Sequence, residues 1–257
     1  MLVAAIVHAS WNRVLHAEAD RVAAMAVAGL AVGVMLLPAV LISPPWEVLP
    51  LVVASVVAEV AYALCLSAAY KRGALSVAYP LGRGVAPLLV TLGGWLLLSE
   101  RPDSGALLGA IALAVGLALI AVVGGRAGQS AAVGFALLTG LTIAAYSVVD
   151  AAAVREVAPP GYLGAVLGIQ GMFLTLLVRG NRVRLRQGFR TGLLIAVGLV
   201  SAYSLVLFAF QQAPAGRVST LREASVLVGL MLSGERPSPV IWTGAILVLI
   251  GAVLAAS

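Results

Sequence analysis

The chain has 257 residues, of which 62% are hydrophobic and only 10% charged, and its mean hydropathy is +1.09. A soluble domain carries about 25% charged residues, so this composition leaves too little polar surface for a water-exposed fold and points to a polytopic membrane protein. The net charge of +6 sits mainly between apolar runs, as in membrane loops, which argues against nucleic acid as a partner.

A membrane-crossing helix needs about 20 residues for a hydrocarbon core of about 30 Å. The first apolar run is Met1 to about His16. At 1.5 Å per residue it reaches only about 24 Å, so it is either a short helix or the remainder of a longer one. It lacks a basic leader and a small-residue cleavage site, and so reads as a mature helix, not a signal peptide. Next come Val22–Ile42, Val48–Tyr70, Ala74–Leu98 and Ser104–Val123. A polar, glycine-rich joint, Gly124–Ser130, separates these five from five more: Ala131–Ala153, Gly161–Val178, Thr191–Gln211, Pro214–Ser233 and Val240–Ala256. The most basic segment, RGNRVRLRQGFR, lies between the seventh and eighth runs. Cys65 sits inside the third run and has no second cysteine to pair with.

The two halves repeat one another. Run four reads YPLGRGVAPLLVTLGGWLLLSERP and run nine LREASVLVGLMLSGERP, each with an arginine (Arg83, Arg222) and a Glu-Arg-Pro end. Gly109 and Gly116 in the first tail recur as Gly244 and Gly251 in the second. Ala61-Tyr62 in run three recurs as Ala202-Tyr203 in run eight. Run nine is shorter between arginine and glutamate by four residues, about one helical turn. Five crossings per half place the halves in opposite orientations, the inverted-repeat plan of many secondary transporters. The expected architecture is all-α and integral to the membrane, with ten transmembrane helices in two units, residues 1–125 and 126–257.

A charge at membrane depth is costly and normally faces a bundle interior or wet cavity. Arg83 and Arg222 at equivalent positions suit an anionic group, because guanidinium holds a carboxylate or phosphate bidentately. The alternative is a structural ion pair with Glu59 or Glu223. Glu59, with Tyr62 on the same face, is a candidate for carrying a coupling proton, and Glu223 is a second. Glu223 points about 100° away from Arg222 on an ideal helix, so the two do not satisfy each other. His8, Trp11 and Asn12 form one patch of the first helix; Tyr146, with Ser147, occupies the corresponding part of the sixth. These, with Tyr62 and Tyr203, are candidates for lining a cavity, although cross-helix hydrogen bonding alone would also account for them. Asp150 reads as an interfacial residue. Gly82, Gly84 and Pro87 mark either close packing or a local break in run four. The Glu-Arg-Pro ends read as helix terminators, and Arg217 as a residue reaching toward the interface.

His8-Ala9-Ser10-Trp11-Asn12, Tyr79-Pro80-Leu81-Gly82-Arg83-Gly84 with Pro87, Leu221-Arg222-Glu223 and the two Glu-Arg-Pro ends, in this order, resemble the drug/metabolite transporter superfamily, specifically its EamA family. The resemblance covers nearly the whole chain. It implies a ten-helix carrier whose cavity is lined by helices one, three, four, six, eight and nine, with five and ten peripheral. It also implies export or uptake of small organic solutes across a cell membrane, of the bacterial inner-membrane type.

No HExxH, GxSxG or P-loop pattern is present, so neither an enzyme nor a cofactor is expected. The expected partners are a small-molecule substrate and the lipid bilayer. The expected function is secondary transport of a small organic metabolite, anionic or amino-acid-like, by alternating access with proton coupling. The competing readings are a membrane-embedded enzyme acting on lipid and a non-transporting membrane subunit. Basic residues concentrate in the odd-numbered loops (Arg21, Lys71, Arg72, Arg126, Arg179 to Arg190, Arg236), against Arg101 and Arg155 in the even ones. By the positive-inside rule the odd loops are cytoplasmic and the termini outside.

Overall fold

The computed structural model describes residues 2–126, 128–232, 236 and 238–256. Among them there is no strand. The order is α1 (Leu2–Ala17), α2 (Arg21–Met35), α3 (Leu37–Ile42), a 3₁₀ turn (Trp46–Val48), α4 (Leu49–Arg72), α5 (Leu75–Leu98), α6 (Ser104–Arg126), α7 (Ser130–Ala153), α8 (Pro159–Leu177), α9 (Arg182–Gln187), α10 (Phe189–Phe210), α11 (Ala215–Leu221), α12 (Ala224–Leu232) and α13 (Pro239–Ala256). Among the described residues, five segments are long and apolar enough to cross a membrane: Trp46–Arg72, Leu75–Leu98, Ser130–Ala153, Pro159–Leu177 and Phe189–Phe210. The apolar segments Arg21–Met35, Ser104–Ile120 and Pro239–Gly251 are shorter.

Three expectations need correction. Run two is not one helix: it parts at Leu36, because Pro38 enters at the first turn of α3 and supplies no N–H to the turn before it. The basic segment is not a plain loop. Asn181 caps α9 by accepting from the amides of Val183 and Arg184. Run nine also divides, into α11 and α12, at Arg222-Glu223. There the amides of Glu223, Ser225 and Val226 bond three residues back, to Thr220, Arg222 and Glu223, so the α-helical ladder gives way to a 3₁₀ turn. By contrast α5 runs unbroken through Pro80 and Pro87. Close packing accounts for its glycines: a methyl on Gly84 would sit 2.6 Å from the Leu117 side chain.

Helix ends are fixed by identifiable contacts. Asp20 caps α2 through the Ala23 amide and accepts two hydrogen bonds from the Arg184 guanidinium, which holds its carboxyl below the usual carboxylate range. Ser99 closes α5 in the left-handed region, φ 59°. Glu100 does more than end the helix. One carboxylate oxygen caps α11 at the Ala215 amide and the other pairs with Arg155. Its repeat counterpart Glu235, with Pro237, lies outside the described residues.

The packing has three layers. α6 lies against α13 on one flank and α2 against α8 on the other. Between them α1, α4, α5, α7, α10 and the α11–α12 pair surround the centre, with α7 contacting both α4 and α5. Outward positions such as Val34, Leu41, Leu97 and Leu176 are exposed and apolar, the pattern of a bundle in lipid.

Candidate functional site

The centre of the bundle holds an unusual density of polar side chains. His8, Asn12, Glu59, Arg83, Ser147, Asp150, Gln170, Arg222 and Glu223 are all buried. They come from α1, α4, α5, α7, α8 and the α11–α12 break, so no single helix makes the site. Buried polar groups normally find hydrogen-bond partners, and His8, Arg83, Ser147, Gln170, Arg222 and Glu223 each keep a buried polar atom without one among the described residues.

Around α1, the Trp11 indole N–H donates to His8 Nδ1 at 3.1 Å, and the Asn12 amide donates to the His8 carbonyl at 2.8 Å. Accepting at Nδ1 leaves the proton of a neutral imidazole on Nε2, and His8 Nε2 has no hydrogen-bond partner among the described residues. Tyr70 donates to Asn12 at 2.7 Å and its ring stands edge-on to His16 at 5.2 Å. This closes the centre on the side of the α4–α5 connection.

Three tyrosines form a chain across the middle. Tyr62 and Tyr146 meet edge-to-face at 5.7 Å, and Tyr146 and Tyr203 at 5.8 Å. Tyr62 lines two small cavities, each about 10 Å³, roughly the room of one water. One gathers His8, Trp11, Glu59, Tyr146, Gln170 and Tyr203; the other gathers Asn12, Tyr70, Tyr79 and Arg83. Glu59 accepts from the Gln170 amide at 3.3 Å. The sites that hold drug-sized ligands are typically about 300–1,000 Å³, so neither cavity has room for one.

The arginines are arranged unequally. Arg83 lies 3.6 Å from Glu223, close enough for an ion pair and too far for a hydrogen bond. Neither Glu223 oxygen has a hydrogen-bond partner among the described residues. Arg222 is fully buried, and all three of its guanidinium nitrogens lack a hydrogen-bond partner among the described residues. His8, Tyr146 and Glu223 lie within electrostatic range of both arginines. Arg83 thus has a close ion-pair partner, whereas Arg222 has the Glu59, Asp150 and Glu223 carboxylates within electrostatic range but no hydrogen bond among the described residues.

Asp150 is not interfacial, contrary to its sequence reading. It is buried, and its carboxylate accepts from Ser55 at 2.6 Å, from Tyr162 at 2.7 Å and from Tyr203. Three hydroxyls from α4, α8 and α10 thus converge on one carboxylate of α7. With Glu100–Arg155 above it, this closes the centre on the side of the α7–α8 connection. Replacing Asp150 by alanine strands all three hydroxyls, at a cost on the order of 3 kcal/mol. Asparagine keeps one acceptor oxygen and is expected to cost about half as much. Thermal unfolding in detergent tests this; an alanine variant as stable as the parent rules the hub out.

Ser55, Tyr70, Tyr162 and Gln170 were not among the sequence candidates. Their only signal was a polar atom within an apolar run, where a buried group needs a partner. No group of His, Cys, Asp and Glu among the described residues could hold a metal ion.

Comparison with known proteins gives a consistent picture. The profile of the EamA-like transporter family matches residues 130–257. A solved crystal structure aligns over 99% of this chain and 95% of its own, with TM-score 0.72 and 18% identity, so the two share a fold. No curated protein matches significantly.

Proposed function

We propose that this chain, whose residues 130–257 match the EamA-like transporter family, is a secondary carrier of a small organic anion or amino-acid-like metabolite. The family match and the apolar helices support a multi-pass membrane transporter of small molecules. The observation that carries the finer reading is the burial of five ionisable side chains, Glu59, Arg83, Asp150, Arg222 and Glu223, at the centre of the bundle, where Glu59 and Arg83 each line a small cavity. Such groups inside a membrane protein mark substrate and proton pathways.

The reading takes the fold as ten crossings in two inverted units, 1–125 and 126–257. Counting α2–α3 as the second crossing and α11–α12 as the ninth gives five and five. Helix contacts then recur in related pairs: α4–α7 with α1–α10, α5–α7 with α1–α12, and α2–α10 with α4–α8. Glycine contacts obey the same relation. Gly116 meets Gly244, Gly251 meets Gly109, and an offset of 135 residues turns the first contact into the second.

In this mechanism, Arg83 and Arg222 hold the anion, while His8, Trp11, Asn12, Tyr62, Tyr146 and Tyr203 line its path. Alternating access opens one closure at a time, Asn12–Tyr70 on one side or the Asp150 hub with Glu100–Arg155 on the other. Glu59 is the better placed proton carrier because it lines a cavity, whereas Asp150 is held by three donors and Glu223 faces Arg83. The carrier is assigned to a cell membrane of the bacterial inner-membrane type. Counterflow in proteoliposomes loaded with a metabolite mixture tests the function: saturation by one solute is expected, and product formation without flux would point to an enzyme instead. Glu59→Gln is expected to flatten the pH dependence of that flux, and an unchanged pH profile would remove Glu59 from the proton path.

A further inference from the structure

A groove of about 660 Å³ opens on the outer surface of the bundle between α2 and α10. Its walls are apolar: Leu30, Ala31 and Val34 from α2, Leu185 from α9, and Phe189 and Leu193 from α10. From Val27 to Met35 it follows α2 over nine residues, about 12 Å of helix. At its head stands one charged side chain, Arg186.

Among the described residues no carboxylate pairs with the charge around that head. Arg182 and Arg186 are one turn apart on α9 and share a face, and Arg190 follows at the start of α10. All three are exposed. The ion pairs among the described residues are Arg83–Glu223, Arg155–Glu100 and Arg184–Asp20, so Arg184 is engaged and the other three are not. The tie between Arg184 and Asp20 fixes α9 against the start of α2, with Arg186 lining the groove and Arg182 and Arg190 each four residues from it in sequence. A cationic rim above an apolar slot matches an amphiphile with an anionic head and a hydrocarbon tail. Basic sites at helix ends facing the cytoplasmic leaflet recognise such lipids, and the arginine distribution assigns this end to that leaflet.

We propose that the α2–α9–α10 groove is a binding site for an anionic phospholipid. Its phosphate is held by Arg182, Arg186 and Arg190, and one acyl chain lies along Leu30, Ala31 and Val34. The fork of guanidinium N–H donors fits the phosphate oxygens, and the apolar walls exclude a freely soluble phosphate as the natural occupant. The site is separate from the transport centre and does not depend on the identity of the carried solute.

Native mass spectrometry of the purified full chain tests this. The probes are phosphatidylglycerol, phosphatidylcholine with the same acyl chains, and inorganic phosphate. Phosphatidylglycerol adducts are expected to survive roughly tenfold better than phosphatidylcholine adducts, and inorganic phosphate should not displace them. R182Q/R186Q/R190Q should remove the preference, while K71Q/R72Q, which neutralises charge elsewhere at the same end, should leave it intact. Ala31→Trp fills the slot without changing charge and should lower retention of both lipids. Arg186→Gln alone serves if the triple variant is not recovered, and should at least halve the preference. Equal retention of the two lipids, a preference that survives loss of the arginines, or displacement by inorganic phosphate would each overturn the proposal.

Discussion

Arg222→Met is expected to abolish high-affinity transport of an anionic solute while raising the thermal stability of the empty protein. The two signs follow from one fact. Arg222 is fully buried and its guanidinium has no hydrogen-bond partner among the described residues. Carboxylates of Glu59, Asp150 and Glu223 lie within electrostatic range, but a buried guanidinium whose N–H groups find no acceptor is costly to hold, and replacing it with an apolar side chain of similar volume is often neutral or stabilising. A ligand that supplies the missing acceptors recovers that cost on binding. Losing such a desolvated charge contact costs about 2–4 kcal/mol, or roughly 30- to 1,000-fold in affinity at 1.4 kcal/mol per decade. Lysine keeps the charge and loses the fork, so Arg222→Lys should fall between the two. Arg83 behaves differently because it already faces Glu223 at 3.6 Å. Arg83→Met strands a buried carboxylate and should lower stability as well as transport. Counterflow and thermal unfolding, read together on the two variants, decide the matter. If Arg222→Met unfolds earlier and still transports, Arg222 is structural and the anion site lies elsewhere.

This difference between the two arginines also marks where sequence reading stopped. The apolar runs, the joint near residue 125 and the inward charges were legible because each is a local property of length, hydropathy or charge. The paired glycines were legible because an offset of 135 residues can be counted. The break in run nine was not. Gly82, Gly84 and Pro87 left run four open to a break or to close packing, yet α5 is continuous, and it is α11–α12 that divides, without a proline. The cause there is tertiary: Glu223 reaches Arg83 on another helix while Arg222 is drawn fully inside, and the backbone between them takes a 3₁₀ turn. Asp150 was misread for a related reason. Its partners Ser55 and Tyr203 are 95 and 53 residues away, and no periodicity within one run reveals that three hydroxyls from other helices meet there. By contrast Leu36 was open to a reading that was not taken, since Pro38 lies within run two and proline inside a helical run is itself a warning.

Gly116→Ala is expected to destabilise the protein by about 1–3 kcal/mol, against the direction of helix propensity. In an open helix, glycine to alanine gains up to about 1 kcal/mol. Gly134 is such a position, with nothing within 4 Å of an added methyl, so Gly134→Ala should stabilise. At Gly116 the added methyl would lie 2.5 Å from the Gly244 carbonyl oxygen, and at Gly251 it would lie 2.6 Å from that of Gly109. Real carbon atoms do not approach that closely, and the obstacle is backbone, so the α6–α13 pair must move apart. A close-packed interface loses dispersion contacts along its whole length when it separates. In lipid no hydrophobic force between helices replaces those contacts, which is why small residues mark such seams. The proposed inverted repeat adds a quantitative demand. It makes Gly116 and Gly251 equivalent positions, and each added methyl would meet backbone at nearly the same distance, so Gly251→Ala should cost about as much as Gly116→Ala. Thermal unfolding of the three single variants in one detergent measures all of this. Destabilisation at Gly116 with none at Gly251 would leave the close contact real but remove the twofold relation between the halves. A stabilising Gly116→Ala would mean that α6 and α13 are not in contact at that depth in the membrane.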